Sequence, residues 1–202
     1  MKQGLMIVIS GPAGSGKGTV NAHLLATGEY VYSVSATTRA PREGERDGIN
    51  YHYITKEEFL NRIESGDMLE YTEYCGNFYG TPRKEAEEVL ASGKNLILEI
   101  EVEGARNVKK RYPDAILILL LPPSFATQEA RLRGRGTEPE DKIRERLART
   151  RKELLEAEHY DYVVYNHDGA DREAAEEIRA ILTAERASLR RNAGVAERYF
   201  AN

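Results

Sequence analysis

The sequence predicts an α/β fold: a parallel sheet with helices on both faces, interrupted by a polar insertion and followed by an arginine-rich segment able to close as a lid. Three observations carry this. Short apolar runs are continuous rather than alternating, which marks strands buried on both faces. Helical patterns separate those runs. The first run passes through a glycine-rich turn directly into a helix, the opening unit of α/β chains.

Taken in order, residues 5–9 (LMIVI) form the first predicted strand. A helix over residues 17–26 follows, with Val20, Leu24 and Leu25 on one side. Residues 95–101 form a second core strand that ends in carboxylates, and residues 115–121 a third, stopped by Pro122 and Pro123. Residues 162–165 form a fourth, stopped by Asn166, His167, Asp168 and Gly169. Helical patterns cover residues 124–133, 138–158 and 171–190. The segment 33–92 differs: it is polar, tyrosine-rich (Tyr51, Tyr53, Tyr71, Tyr74, Tyr79) and broken into short strand-like pieces. The expected organisation is therefore one domain, with a core from residues 4–32, 93–123 and 159–190, an insertion over 33–92 and a lid over 124–158. The tail, 191–202, carries no motif and is expected to fray.

The bulk properties restrict function. A chain of 202 residues, 41% hydrophobic and 31% charged, can bury a real core and is not of disordered composition. A net charge of -4 argues against sequence-independent nucleic-acid binding. The lone Cys75, read as a small packing residue, excludes an internal disulfide and fits a reducing cytoplasm. The N-terminal apolar run is too short for a signal peptide or a membrane span.

The turn after the first strand reads Gly11-Pro12-Ala13-Gly14-Ser15-Gly16-Lys17-Gly18-Thr19. Strand, glycine-rich turn, lysine and helix together form a phosphate-binding P-loop. The glycines let backbone N–H groups curl around phosphate oxygens, and the helix N-terminus adds its positive end. Lys17 would reach the β- and γ-phosphates. Gly18 stands where a Ser or Thr is common, so Thr19, one residue later, supplies the hydroxyl. The core is then a three-layer P-loop sheet that binds a nucleoside triphosphate.

The acceptor side is written in Ser35-Ala36-Thr37-Thr38-Arg39-Ala40-Pro41-Arg42, continuing through Glu45, Gly48, Tyr51 and Tyr53. Two arginines three residues apart can fork onto one phosphate. Downstream come Glu70 and then Gly76-Asn77-Phe78-Tyr79-Gly80-Thr81. In spacing and in residues, this stretch resembles the guanylate kinase family, and the resemblance runs from about residue 4 to about residue 186. It implies an insertion that binds GMP: Arg39, Arg42, Tyr51 and Tyr79 on the phosphate, and Ser35, Glu70 and Thr81 on the base. The chemistry of Glu70 agrees, because an ionised carboxylate accepts from both guanine N1–H and N2–H₂, whereas adenine presents a lone pair at N1. Glu99 and Glu101 stand where the family carries Asp. The resemblance assigns them to GMP contact and to the water shell of Mg²⁺.

In the lid, Arg131, Arg135 and Arg146 match the family's catalytic arginines, and Gly134 and Gly136 permit hinging. Positive charge around the moving group is what phosphoryl transfer needs most. Arg133, Arg144 and Arg151 read instead as solvated helix charges paired with nearby acids. Asn166 matches a position near the adenine, so the ATP site would comprise residues 11–19 with Arg135 and Asn166. The implied activity is MgATP-dependent phosphorylation of GMP to GDP, and of dGMP to dGDP, with ATP and GMP as the partners and no membrane or nucleic acid. A sugar-phosphate kinase on the same scaffold, or a non-catalytic guanylate-kinase-like binding module, are the alternatives.

Overall fold

A computed structural model describes residues 3–74, 76–134, 136 and 139–201. The elements run β1 (Met6–Ser10), α1 (Lys17–Leu25), β2 (Tyr30–Tyr32), β3 (Ala36–Thr37), β4 (His52–Tyr53), α2 (Lys56–Glu64), β5 (Met68–Tyr74) and β6 (Asn77–Pro82). They continue with α3 (Arg83–Ala91), β7 (Asn95–Leu98), α4 (Val102–Arg111), β8 (Ile116–Leu121), α5 (Phe125–Gly134), α6 (Glu140–Leu154), β9 (Tyr162–Tyr165), α7 (Asp171–Ala187) and α8 (Val195–Phe200).

Five strands form a parallel sheet in the order β2-β7-β1-β8-β9. The continuous apolar runs are explained by what each face meets. Odd positions of β1 (Ile7, Ile9) join Val20 and Leu24 of α1 and Ile178 and Leu182 of α7. Even positions (Met6, Val8) join Leu90 of α3 and Ala105 and Val108 of α4. Both faces are covered, so alternation of polar and apolar residues is absent and the α/β expectation holds.

A second sheet, β4-β3-β6-β5, is built from residues 36–82 and has its own small core around Ala36, Phe59 and Met68. Its β5–β6 pair is antiparallel and changes register between Met68 and Glu70. This one-residue bulge sets Glu70 opposite Thr81.

Several features depart from the sequence expectation, among them α2 and α3, which lie in the segment expected to hold only strand-like pieces. β2 was not predicted: three residues at a sheet edge leave too little pattern. α4 was not predicted either: its buried face is Gly104, Ala105 and Val108, mostly small residues, and charged residues fill much of the rest. The strand expected over 95–101 stops at Leu98, so Glu99 and Glu101 lie beyond it, with Glu101 in the N-cap position of α4. The tail expected to fray contains α8, and α6 begins at Glu140, the expected start at Glu138 lying outside the described residues.

The tail is tied down through Glu185 on α7. Its carboxylate accepts from Tyr162 Oη at 2.6 Å, Arg191 Nε at 2.8 Å and Arg190 Nη2 at 2.9 Å. Burial would raise the pKa of this carboxyl, but the bonds from Tyr162, Arg191 and Arg190 outweigh it and hold the pKa at about 2. Losing charge-assisted bonds of this kind costs about 2 kcal/mol, and each kcal/mol is about 2–4 °C of Tm in a chain of this size. Glu185→Gln should therefore melt roughly 4–8 °C lower at pH 7. Because the folded pKa is depressed, the deficit should be full above the ordinary carboxylate range and vanish as pH falls towards 2. Equal melting of variant and parent at pH 7 would show that the network contributes nothing.

Candidate active site

The β1–α1 turn carries the phosphate-loop residues. Gly14 and Gly16 have φ of 88° and 86°, a left-handed backbone that a β carbon disfavours. At Gly16 a β carbon would also stand 2.3 Å from Asn166 Nδ2. Pro12, Ala13, Gly14 and Ser15 shape the turn, which leads to Lys17 at the first helical position, with Gly18 and Thr19 exposed on the first turn of α1. At Gly11 the backbone lies so close to β8 that a β carbon would be 2.1 Å from the Leu120 carbonyl oxygen. Lys17 Nζ donates to the Gly11 carbonyl at 2.6 Å and lies 3.4 Å from that of Pro12, so the ammonium sits inside the curve of the loop. The Ser15 hydroxyl is buried without a partner among the described residues.

Two residues brace the loop from behind. Asn166, at the end of β9 and 4% exposed, donates from Nδ2 to the Ser15 carbonyl at 2.9 Å. It therefore underpins the loop. Gln128 of α5 is buried and donates to the Ala13 carbonyl at 3.0 Å and to Thr150 Oγ1 of α6 at 2.7 Å. Gln128 carries no signal along the chain, since a glutamine on a helix reads as surface.

The lid arginines are placed differently from one another. Arg131 donates to the Gly14 carbonyl at 3.2 Å, to the Asn166 carbonyl at 2.8 Å and to Asp168 Oδ1 at 2.7 Å. Arg146 is exposed on α6. Arg135 lies outside the described residues, as do Thr137, Glu138 and Cys75. Arg133 bonds to Glu129 and Glu140, and Arg144 to Glu140, as solvated helix charges do. Arg149, on the same helix as Arg146, bridges Glu153 at 2.7 Å and Glu101 at 2.9 Å. These three residues border a cavity of about 340 Å³ between β5, the start of α4 and α6. Burial, then the neighbouring Glu101, raises the pKa of the Glu153 carboxyl.

The second sheet gathers another cationic and aromatic group. Arg39 forks onto Glu45, Nη1 to Oε2 at 2.9 Å and Nη2 to Oε1 at 3.0 Å. Glu45 also accepts from the Arg42 backbone N–H at 2.7 Å and the Tyr53 hydroxyl at 2.8 Å. The Arg39 fork, then the Arg42 N–H, lowers the Glu45 pKa to about 2. Glu45 thus fixes the head of Arg39, a positioning role the sequence reading left unassigned although the residue stood within the run it singled out. The Arg39 guanidinium lies 5.5 Å from the Tyr51 ring centre, and Tyr51 packs edge-on against Tyr79 at 6.0 Å. Burial, then Tyr79, raises the Tyr51 pKa, keeping its hydroxyl a proton donor. Arg42 is exposed on the loop beside them.

Thr81 of β6 pairs with Glu70 of β5, and Ser35, the residue just before β3, precedes Ala36, which pairs with Gly80, so that Ser35 comes level with Thr81. Thr81 Oγ1 donates to Glu70 Oε1 at 2.8 Å. Glu70 is only 5% exposed, and burial pushes its carboxyl up to about 7 despite the two Thr81 bonds that lower it. Glu99 lies between the two groups. Its Oε2 accepts from Asn21 Nδ2 of α1 at 2.8 Å and stands 3.4 Å from Tyr32 Oη. Burial, then Glu99, raises the Tyr32 pKa strongly.

A loop shaped for phosphates, a row of polar side chains around Glu70 and a second cationic group in the loop after β3 suit a protein that brings two phosphorylated ligands together. Comparison with known proteins agrees. The family model described as guanylate kinase matches residues 3–185. A guanylate kinase of Lactobacillus delbrueckii subsp. bulgaricus is 48% identical over 94% of this chain and 93% of its own. One of Shouchella clausii is 50% identical over 91% and 89%. Among solved structures, the guanylate kinase of Anaplasma phagocytophilum superposes with a TM-score of 0.76 at 34% identity, covering 98% of this chain and 94% of that one. This chain belongs to the guanylate kinase family.

Proposed function

We propose that the chain transfers the γ-phosphoryl group of ATP directly to the phosphate of GMP, yielding GDP, and of dGMP, yielding dGDP, with ADP as the other product, in the cytoplasm. The core holds ATP, the segment 33–92 holds GMP, and the segment 124–158 closes over both. The observation that carries the choice of guanine is Glu70, a buried carboxylate bonded to Thr81 and set beside an arginine–tyrosine phosphate subsite. A carboxylate kept from water has acceptor capacity that guanine N1–H and N2–H₂ satisfy and adenine does not.

The geometry supports a role for each described residue. Backbone N–H groups of residues 11–19 wrap the ATP phosphates. Lys17 exchanges its carbonyl partners for β- and γ-phosphate oxygens, and Asn166 keeps the loop in shape. Arg39, Arg42, Tyr51 and Tyr79 hold the GMP phosphate as a dianion, and Ser35, Glu70 and Thr81 read the base. Arg131, Arg135 and Arg146 supply positive charge to the moving group, and Arg131 is pre-placed by Gly14 and Asn166. The acceptor phosphate is already ionised, so no strong base is required. Closure excludes water, a competing acceptor.

Mg²⁺ suits the oxygen donors at hand. Asn21 Oδ1 is buried without a partner among the described residues, beside Glu99, and Thr19 exposes its hydroxyl on the same helix. Thr19 and Glu99 would hold the ion's water shell, with Glu101 nearby, and the bound ion neutralises charge on the ATP phosphates. Among the described residues, no helix is long and apolar enough to cross a membrane.

A coupled assay of ADP release with MgATP and GMP, dGMP, AMP, CMP, UMP or sugar phosphates tests the reading. GMP-dependent turnover with AMP near background supports it. Turnover with a sugar phosphate alone, or none from folded protein, favours the alternative kinase or the binding module. Arg42 is exposed and contacts the phosphate as a ground-state ligand, so Arg42→Ala should raise KM for GMP about tenfold with little change in kcat. An unchanged KM would remove it from the acceptor site.

A further inference from the structure

Reading guanine requires the Glu70 carboxylate to stand in one place, and α4 has a part in placing it. Glu70 follows the β5 bulge, and its Oε1 is held by Thr81. The other oxygen faces α4, which packs across β5. The residue that meets it there is Gly104, buried in the first turn of that helix. A β carbon added at Gly104 would lie 3.1 Å from Glu70 Oε2, 3.3 Å from Ile100 Cδ1 and 3.5 Å from Ile100 Cβ. The first two are shorter than ordinary van der Waals contact.

The backbone does not ask for glycine at this position. Gly104 is helical and absent from the glycines with positive φ. In a helix interior, glycine lowers stability relative to alanine, so the helix alone would favour a side chain. The missing methyl is accounted for by its neighbours. The end of Ile100 can turn aside, whereas the carboxylate is enclosed and tethered through Thr81.

We propose that Gly104 is a specificity-determining positioning residue: its absent side chain forms the recess in which the Glu70 carboxylate stands aligned for guanine. Gly104 stands three residues after Glu101, the N-cap of α4, so the recess lies in the first turn of that helix. The proposal rests on the assignment of Glu70 to the base.

Gly104→Ala, Glu70→Gln and the double variant test it, each assayed with MgATP against GMP and AMP and each melted thermally. Gly104→Ala should melt at or above the parent temperature. Its kcat/KM for GMP should fall about tenfold, chiefly through KM, and its preference for GMP over AMP by the same factor. KM for ATP should stay within about twofold. In the Glu70→Gln background, the same substitution should change that preference less than about threefold, because the ionised acceptor whose placement it disturbs is gone. If Glu70→Gln loses the preference and Gly104→Ala keeps it, the recess is irrelevant and the proposal fails alone. A full tenfold effect in the Glu70→Gln background, or equal losses towards ATP and GMP with a lowered melting temperature, would reduce Gly104 to a packing role and overturn it. If Glu70→Gln keeps the preference, the base-reading assignment falls first.

Discussion

Lys17→Ala should leave a folded protein with about one thousandth of the parent turnover. The ammonium has no carboxylate partner among the bonds it makes: Nζ rests on the carbonyls of Gly11 and Pro12, inside the loop. Those are weak partners for a full charge, and phosphate oxygens are stronger ones. When ATP occupies the loop, the ammonium meets negative charge that grows on the β–γ bridge as the bond breaks. Removing one such pre-placed donor costs about 10² to 10³ in kcat, and a full charge lies at the upper end. The fold should hardly notice. Two hydrogen bonds to carbonyls are lost from a half-buried side chain, worth about 1 kcal/mol, or a few degrees of Tm. The coupled assay and a melting curve on one preparation separate the two effects. Turnover above a tenth of parent would take the loop out of the transfer site.

Glu70→Gln should have the second largest effect, and on selection rather than on folding. Glutamine keeps the shape, and its carbonyl oxygen can still accept from Thr81. Its amide nitrogen, however, turns a donor towards a base edge that is itself a donor in guanine. Sites built on such bonds discriminate by about 10⁴, and one mismatched pair should leave about 10². The measurement is the ratio of kcat/KM for GMP and AMP. An undiminished ratio would show that another group reads the base. The raised pKa adds a pH signature. Guanine needs the ionised carboxylate, whose pKa is about 7 in the free protein. KM for GMP should therefore climb as pH falls below 7, and Glu70→Gln should remove that component, leaving only the phosphate ionisation near about 6. Stability moves the other way. A carboxyl whose folded pKa is raised binds its proton more tightly when folded, so its contribution is present at low pH and is lost as pH rises through 7. Melting temperatures of Glu70→Gln and parent should thus be similar near pH 5, with the variant gaining towards pH 8.

The phosphate loop and the alternation of buried strands and helices were legible in the chain because each is a local pattern: a strand, a glycine turn, a lysine, a helix. The residues proposed for the acceptor side stood out as a run, since Arg39, Arg42, Tyr51, Glu70, Tyr79 and Thr81 keep a spacing that resembles the guanylate kinase family's. What the run did not disclose was who holds them. Glu45 was one charge among several until the fold brought it onto Arg39, Arg42 and Tyr53. β2 and α4 escaped because an edge strand of three residues leaves too little pattern and a helix whose buried residues are small shows few large apolar side chains.

The sequence by itself determined the fold class, the phosphate loop and the membership of two polar clusters, because these depend on periodicity and on residues close along the chain. Only the tertiary structure decided that Asn166 supports the loop, that Gln128 ties the loop to α6, and that Gly104 faces Glu70. Those partners lie 151, 115 and 34 positions apart, and nothing local records their meeting. It follows from the packing of helices across the faces of two sheets, where a buried donor must find its acceptor and a missing methyl becomes room for a carboxylate.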